Sequence, residues 1–205
     1  MKRDIKLYFN TLLHPIGGFG DICEAKCFSL KSSMILFLLL FVSQIVDRQF
    51  VGFSFSTTNT KEFNIIMLLI GVLVALILWT FSNWMVTTLF EGKGRLKEIW
   101  SVTLIATIPY AFSLLLHALL TNIIIVDEAV FLNYIMIFGL LWSLILLLCG
   151  LMVLHDFSFS KVFWTSFLTI AFMAVIVFLA VILYSLFQQI YSFFIDIIDE
   201  IAYRL

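Results

Sequence analysis

Residues 63–100 read FNIIMLLIGVLVALILWTFSNWMVTTLFEGKGRLKEIW, and this stretch decides the fold. All of its charged residues fall within the segment 91–98, EGKGRLKE. The apolar runs on either side, 63–86 and 100–125, contain no Asp, Glu, Lys or Arg. Because about 20 apolar residues suffice for a helix to cross a bilayer, the pattern predicts two membrane-spanning helices joined by a short charged loop.

The rest of the chain repeats this pattern. Of its 205 residues, 63% are hydrophobic and 12% are charged, against about 25% charged in ordinary soluble domains. A β-barrel would require alternating apolar and polar residues, and unbroken apolar runs do not alternate. We therefore predict an all-α polytopic membrane protein, a bundle of five transmembrane helices, with spans near 28–46, 63–86, 100–125, 131–154 and 162–187.

The distribution of basic residues predicts the orientation, because Lys and Arg collect on the cytoplasmic side of membrane proteins. With five spans, nine of the 12 basic residues share the side of the N-terminus: Lys2, Arg3, Lys6, Lys26, Lys31, Lys93, Arg95, Lys97 and Lys161. The opposite side holds Arg48, Lys61 and Arg204, and its 126–130 loop is acidic, with Asp127 and Glu128. We expect the N-terminus to be cytoplasmic and the C-terminus to lie outside.

The first apolar run is the shortest of the five. Lys31 interrupts it, and residues 32–46 alone would rise about 22 Å as a helix, less than the ~30 Å hydrocarbon core. The long Lys31 side chain can extend the span by reaching the interface. If this run does not cross, the basic residues divide eight against four and the 91–98 loop lies outside. The nine-to-three division favours five spans.

No pattern of residues indicates catalysis. His14 and His155 belong to one side of the membrane, whereas His117 lies about 25 Å deeper in the third span, so the three cannot share a metal. Cys23 and Cys27 lack the second pair of ligands that a zinc site needs. No Gly-x4-Gly-Lys-Ser/Thr phosphate loop occurs. We expect a protein that is not an enzyme, with no catalytic, cofactor or metal site and no nucleic-acid partner.

Polar side chains recur along one face of the third span: Thr103, Thr107, Tyr110, His117 and Thr121. Because polar groups facing lipid would be unsatisfied, we expect this stripe to face the other helices. Pro109 interrupts the hydrogen-bond ladder and is expected to kink the span. The stripe either joins helices around the bend or forms a substrate path. Apart from Lys31, we expect no acid or base in the spans except His117.

The C-terminal segment changes character after Gln188-Gln189. Its apolar residues recur at helical spacing: Ile190, Phe193, Phe194, Ile197, Ile198 and Ile201. The other face carries Ser192, Asp196, Asp199 and Glu200. The pattern predicts an amphipathic helix. Because helices that bind anionic lipid are usually basic, docking against protein is favoured here, with a helix lying in the outer interface as the alternative.

Four short motifs stand out along the chain: Asn83-Trp84, the 91–98 segment, Ile108-Pro109-Tyr110, and His14-Pro15 followed by Phe19 and Ile22. Together they resemble the Yip domain family, multispan membrane proteins known as interactors of Ypt/Rab GTPases. The resemblance covers residues 10–187 and implies five spans with a cytoplasmic N-terminus. It also implies that the signature residues serve the fold or dock a partner: Trp84, Gly92, Lys93, Gly94, Arg95, Lys97, Pro109 and Tyr110.

The short tail resembles the compact bacterial members of that family, which implies a bacterial plasma membrane. Residues from His155 to Arg204 resemble a bacterial subgroup found among carbohydrate-uptake genes. We divide the chain into a cytoplasmic, partly interfacial tail (1–27), a five-span Yip-like domain (28–187) and an amphipathic helix on the outer face (188–205).

Two functions follow from these patterns. The first is a non-enzymatic membrane adaptor or scaffold, in which the glycines of the 91–98 loop permit a tight turn and its basic residues anchor the inner leaflet. Its partners would be the lipid bilayer and another membrane protein. The alternative is an accessory membrane component of an ATP-driven carbohydrate importer. A third possibility, an intramembrane enzyme, would require His117.

Overall fold

The computed structural model describes residues 2–25, 28–52, 64–125 and 128–204. These ranges are helical apart from short turns and contain no strand. Five helical segments are long and apolar enough to cross a membrane. The predicted all-α bundle of five transmembrane helices is therefore confirmed. Four residues used in the predictions lie outside the described ranges: Lys26, Cys27, Lys61 and Asp127.

The described ranges contain eight helices: α1 (Lys2–Leu13), α2 (Pro15–Glu24), α3 (Leu30–Gln49), α4 (Ile65–Leu89), α5 (Leu96–Ala106), α6 (Ile108–Leu120), α7 (Ala129–His155) and α8 (Phe159–Arg204). The five spans are α3, α4, α5 together with α6, α7, and α8. We call the end of the bundle that holds residues 90–95 and 156–158 the turn end. The end that holds residues 50–52 and 121–125 is the far end.

The first span is long enough to cross. α3 contains 20 residues, which at 1.5 Å per residue is about 30 Å, the thickness of the hydrocarbon core. Lys31 is the second residue of this helix and is exposed at the turn end. This position suits a side chain that reaches the interface while its stem stays against apolar surface.

The third span lies at the centre of the bundle. In its most apolar stretch 61% of the residues are buried, against 6% in that of α8. Helices α3, α4 and α7 pack around it. The helix breaks at Thr107, between α5 and α6. Pro109 explains the break because it has no N–H to donate to the carbonyl of Ile105, and its ring crowds that carbonyl.

Polar contacts cross between neighbouring spans: Ser33 Oγ to Ser101 Oγ at 2.7 Å, Tyr110 N–H to Ser143 Oγ at 3.0 Å, His117 Nδ1 to Asp47 Oδ1 at 2.6 Å, and Asn83 Nδ2 to Thr169 Oγ1 at 3.3 Å. Inside a bilayer such groups have no water to bond, so they pair with one another. Contacts of this kind contribute about 0.6 kcal/mol on average. They define which helices are neighbours more than they stabilise the bundle.

The N-terminal tail is folded into two helices that pack against the turn end. Phe19 and Ile22 of α2 are fully buried. Phe19 reaches between α5 and α7: a Cβ added to Gly150 would lie 2.5 Å from Val102 Cγ1 and 2.9 Å from Phe19 Cζ. The tail therefore contributes side chains to the core of the bundle, which its charged sequence did not indicate.

The last helix is continuous over 46 residues. The sequence predicted a separate helix from residue 188, but α8 runs through that position without a break. No Gly or Pro occurs between Phe159 and Arg204 to end it. Its first turns pack against the bundle, with Val162 and Thr169 buried. Beyond residue 176, every described side chain up to Tyr203 is exposed.

Candidate functional site

The charged loop of the sequence is a short turn between α4 and α5. α4 ends at Leu89, and the Gly92 N–H donates to the carbonyl of Thr87 at 2.8 Å. Glu91 adopts the left-handed conformation, with φ 60. The Glu98 carboxylate accepts the Arg95 N–H at 2.8 Å and so caps the start of α5. The chain reverses here through local hydrogen bonds.

The two glycines of this turn serve close packing rather than backbone freedom. Neither has a positive φ, so the expectation that they permit the reversal by their conformational freedom is wrong. A Cβ on Gly92 would lie 2.6 Å from His155 Nδ1, and one on Gly94 would lie 2.7 Å from His155 Cε1. A side chain at either position would therefore collide with the imidazole. Thr87 O, at 2.9 Å, crowds Gly92 as well, and Leu154 Cδ2, at 2.9 Å, crowds Gly94.

His155 is a buried structural residue beneath the turn. Its side chain is 2% exposed, and its ring stacks on Phe157 with centroids 5.3 Å apart. The Gly94 N–H donates to Nδ1 at 3.3 Å, which assigns the ring proton to Nε2 in the neutral form. Among the described residues Nε2 has no hydrogen-bond partner.

The cations of the turn end fall into two groups. Lys93 pairs with Asp156 at 2.8 Å, and Lys161 donates to the Phe90 carbonyl at 2.9 Å while lying 3.9 Å above the Phe157 ring. The hydrogen bond from Lys93, and then its charge, lower the pKa of the Asp156 carboxyl. Both partners of that pair are largely exposed, so the pair adds little stability. Arg95 and Lys97 belong to the second group, because they make no ion pair with a described residue.

We call Gly92, Lys93, Gly94, His155, Asp156, Phe157 and Lys161 the turn cluster. It ties the α4–α5 turn to the α7–α8 connection. Trp84 is partly buried against the core next to it, and that core also contains Phe19 and Ile22. The structure thus brings most motifs of the predicted signature together at the turn end. Pro109 and Tyr110 lie apart, at the kink of the third span.

The polar stripe of the third span is largely used within the helix. The hydroxyls of Thr103 and Thr107 donate to the carbonyls of Ile99 and Leu104, at 2.8 Å each. With Tyr110 these threonines border a small cavity of about 140 Å³. Its walls expose apolar atoms alone, so it offers no polar path for a substrate.

The kink joins α6 to α7. The Tyr110 N–H donates to Ser143 Oγ at 3.0 Å, and Gly139 permits close approach, since a Cβ there would lie 1.9 Å from Ser113 Oγ. At the far end, Thr121 Oγ1 accepts the Gly52 N–H at 3.1 Å. Tyr110 through its N–H and Thr121 through its hydroxyl thus contact neighbouring parts of the chain, unlike the hydroxyls of Thr103 and Thr107.

Asp47 is the residue that the sequence prediction missed. The predicted first span stopped at residue 46, but α3 continues to Gln49 and brings Asp47 opposite His117. The two side chains are each 21% exposed. The expectation that the spans hold no acid or base beyond Lys31 and His117 is therefore wrong. The missed signal was that Asp47 and His117 both lie near the far ends of their helices.

No cluster of three or more metal-ligating side chains occurs in the described part of the chain. The fold and the turn cluster define a polytopic helical membrane protein whose short loops are tied together at one end. A family model for the Yip1 domain matches residues 9–195, nearly the whole chain. The chain belongs to the Yip1 domain family. Searches of curated proteins and of solved structures gave no significant match.

Proposed function

We propose that this protein is a non-enzymatic adaptor of the bacterial plasma membrane that acts by contact with another membrane protein. In this proposal the N-terminus and the turn end are cytoplasmic, and the C-terminus is outside. Nine of the 12 basic residues then lie inside, in agreement with the distribution found in other membrane proteins. Residues 188–205 are the segment that docks the partner.

The single observation that supports a docking role is the length and exposure of α8. Its 46 residues correspond to about 69 Å, more than twice the ~30 Å hydrocarbon core. The C-terminal part therefore leaves the membrane if the helix stays straight. Phe193, Phe194 and Ile198 are 61%, 58% and 63% exposed there. Such a row of large apolar side chains marks an interaction surface.

The charge of this segment favours protein over lipid. Its opposite face carries the exposed residues Ser192 and Asp196 and no described basic side chain. An anionic membrane surface would repel an acidic helix, whereas a helix or groove of another protein can bury the apolar face. Recognition of an amphipathic helix through anchors at i, i+3, i+4 and i+7 is a common mode of protein binding.

The turn cluster has a supporting role in this proposal. Its glycines and His155 contact each other rather than solvent, and Lys93 and Lys161 are already paired. These residues hold the loops together so that α8 leaves the bundle in a defined direction. The contact with the partner is assigned to α8.

The transport alternative depended on the polar stripe of the third span. The hydroxyls of that stripe bond within their own helix, and the adjacent cavity of about 140 Å³ is apolar. No geometry in the described residues favours a carbohydrate path, so we do not carry this alternative further.

The proposal is tested by purifying the full-length protein in several mild detergents and identifying the proteins that remain bound. The informative variant carries Phe193→Ser and Ile197→Ser, which remove apolar anchors from exposed positions. The matched control carries Ser192→Ala and Asp196→Ala on the opposite face. We expect one partner, at a constant ratio, with wild type and control but not with the apolar-face variant. Recovery of the protein alone in every detergent, or equal loss in both variants, would contradict the proposal.

A further inference from the structure

A narrow apolar groove lies between α3, α4 and α5 at the turn end. Its volume is about 340 Å³, and its exposed lining consists of apolar atoms. The walls are formed by Leu30, Ile77, Thr80, Phe81, Leu96, Lys97 and Trp100. The groove opens to the side of the bundle, where Ile77 and Phe81 are 56% and 44% exposed.

The lining residues lie within about one leaflet's depth of the turn end. Leu96 and Lys97 are the first residues of α5, so the mouth lies at the level of the turn. Ile77 lies twelve residues before the end of α4 at Leu89, about 18 Å along the helix axis. Half of the hydrocarbon core is about 15 Å. If the turn end marks the headgroup level, the lining residues therefore lie between that level and the middle of the membrane.

One cation lines the groove, and two more are chain neighbours of its lining residues. Lys97 belongs to its wall, Lys31 follows Leu30, and Arg95 precedes Leu96. All three side chains are exposed, and none makes an ion pair with a described residue. The other two cations of this region, Lys93 and Lys161, are held by the turn cluster. Of these five cations, the three that the turn cluster does not hold include the one that lines the groove.

We propose that this groove binds one anionic phospholipid. An acyl chain lies along Ile77, Phe81 and Trp100, and the headgroup phosphate contacts Lys97, with Lys31 and Arg95 adding positive charge. A phospholipid fits both features of the site: a groove whose exposed lining is apolar, and a cation, Lys97, in its wall with Arg95 and Lys31 close by in the chain. This inference does not depend on the adaptor proposal, because it concerns a different surface.

The test measures contact between Trp100 and the acyl chain by fluorescence quenching. The full-length protein is reconstituted in phosphatidylcholine vesicles containing a minor fraction of phosphatidylglycerol, with bromine on the acyl chains of one lipid at a time. Bromine quenches nearby tryptophan, and subtraction of the Trp100→Phe signal isolates Trp100. We expect stronger quenching by brominated phosphatidylglycerol than its share of the lipid predicts.

Substitution of single cations distinguishes a specific lipid site from non-specific attraction of anionic lipid to surface charge. One cation near a membrane surface changes lipid affinity about fivefold, so Lys97→Gln should lower the preference by that factor and added Arg95→Gln should lower it further. Lys93→Gln is the matched control, with the same loss of charge but a side chain held by Asp156, and should leave the preference unchanged. Quenching by brominated phosphatidylglycerol in proportion to its share of the lipid would overturn the proposal, and so would equal losses in the Lys97 and Lys93 variants.

Retention of lipid provides a second measurement that does not depend on fluorescence. Native mass spectrometry of the detergent-solubilised protein with added phosphatidylglycerol should show one retained lipid in wild type and Lys93→Gln. The double variant Lys97→Gln/Arg95→Gln should lose it. Retention in the double variant at the wild-type level would refute the site.

Discussion

Replacing Gly94 by Ala tests whether the glycines of the turn make room for His155. Gly94 is buried, and the added Cβ would lie 2.7 Å from His155 Cε1 and 2.9 Å from Leu154 Cδ2. Overpacking of this kind costs about 1–3 kcal/mol. Loss of the hydrogen bond from the Gly94 N–H to His155 adds about 0.5–1.5 kcal/mol. We expect Gly94→Ala to lower the free energy of unfolding by about 2–4 kcal/mol.

The assay is reversible unfolding in mixed micelles by titration with a denaturing detergent, followed by tryptophan fluorescence. Gly71→Ala in α4 is the control, because nothing lies within 4 Å of its added Cβ. That change should be neutral or slightly stabilising, since Ala favours a helix over Gly by about 0.5–1 kcal/mol.

A double-mutant cycle with His155→Ala decides the cause. If the imidazole is what excludes a side chain, removing it should relieve at least about 1 kcal/mol of the Gly94→Ala cost. The reasoning would be refuted by a cost that stays the same in the His155→Ala background. Such a result would indicate that Leu154 or the backbone, rather than the buried ring, requires glycine.

Two further predictions concern the far end and the tail. Asp47→Ala should lower the free energy of unfolding about as much as the double variant Asp47→Ala/His117→Ala does, because the two side chains are partners. If the losses from the two single variants add up in the double variant, the side chains act independently. In a chain whose other cysteines are Ser, Cys23 should react slowly with maleimide near neutral pH and faster as the pH rises, since burial and then Glu98 raise the pKa of its thiol. Cys23→Ser/Glu24→Cys supplies an exposed thiol in the same helix, and equal rates for the two thiols would contradict the packing of α2.

The spans could be predicted because hydropathy is a local property of the chain. The five apolar runs became the five membrane helices, and the break near Pro109 follows from its missing N–H. The separate C-terminal helix predicted from residue 188 is instead the end of α8. The sequence does not end α8 there, because no Gly or Pro follows residue 159.

The contacts at the turn end could not be predicted because they join distant parts of the chain. The need for Gly92 and Gly94 arises from His155, which is 61 residues beyond Gly94. The charged composition of the tail likewise concealed that Phe19 and Ile22 enter the core. Family resemblance identified these residues as a signature, but only packing supplies the physical reason.

The most direct test of the adaptor proposal is photo-crosslinking from α8 in intact membranes. A photoreactive amino acid is placed at Phe193 on the apolar face or at Ser192 on the polar face of the full-length protein. The account predicts a discrete adduct with one membrane protein from position 193, which weakens when Ile197→Ser is added, and little or none from position 192. Adducts with lipid alone from position 193, or the same protein adducts from both positions, would contradict it.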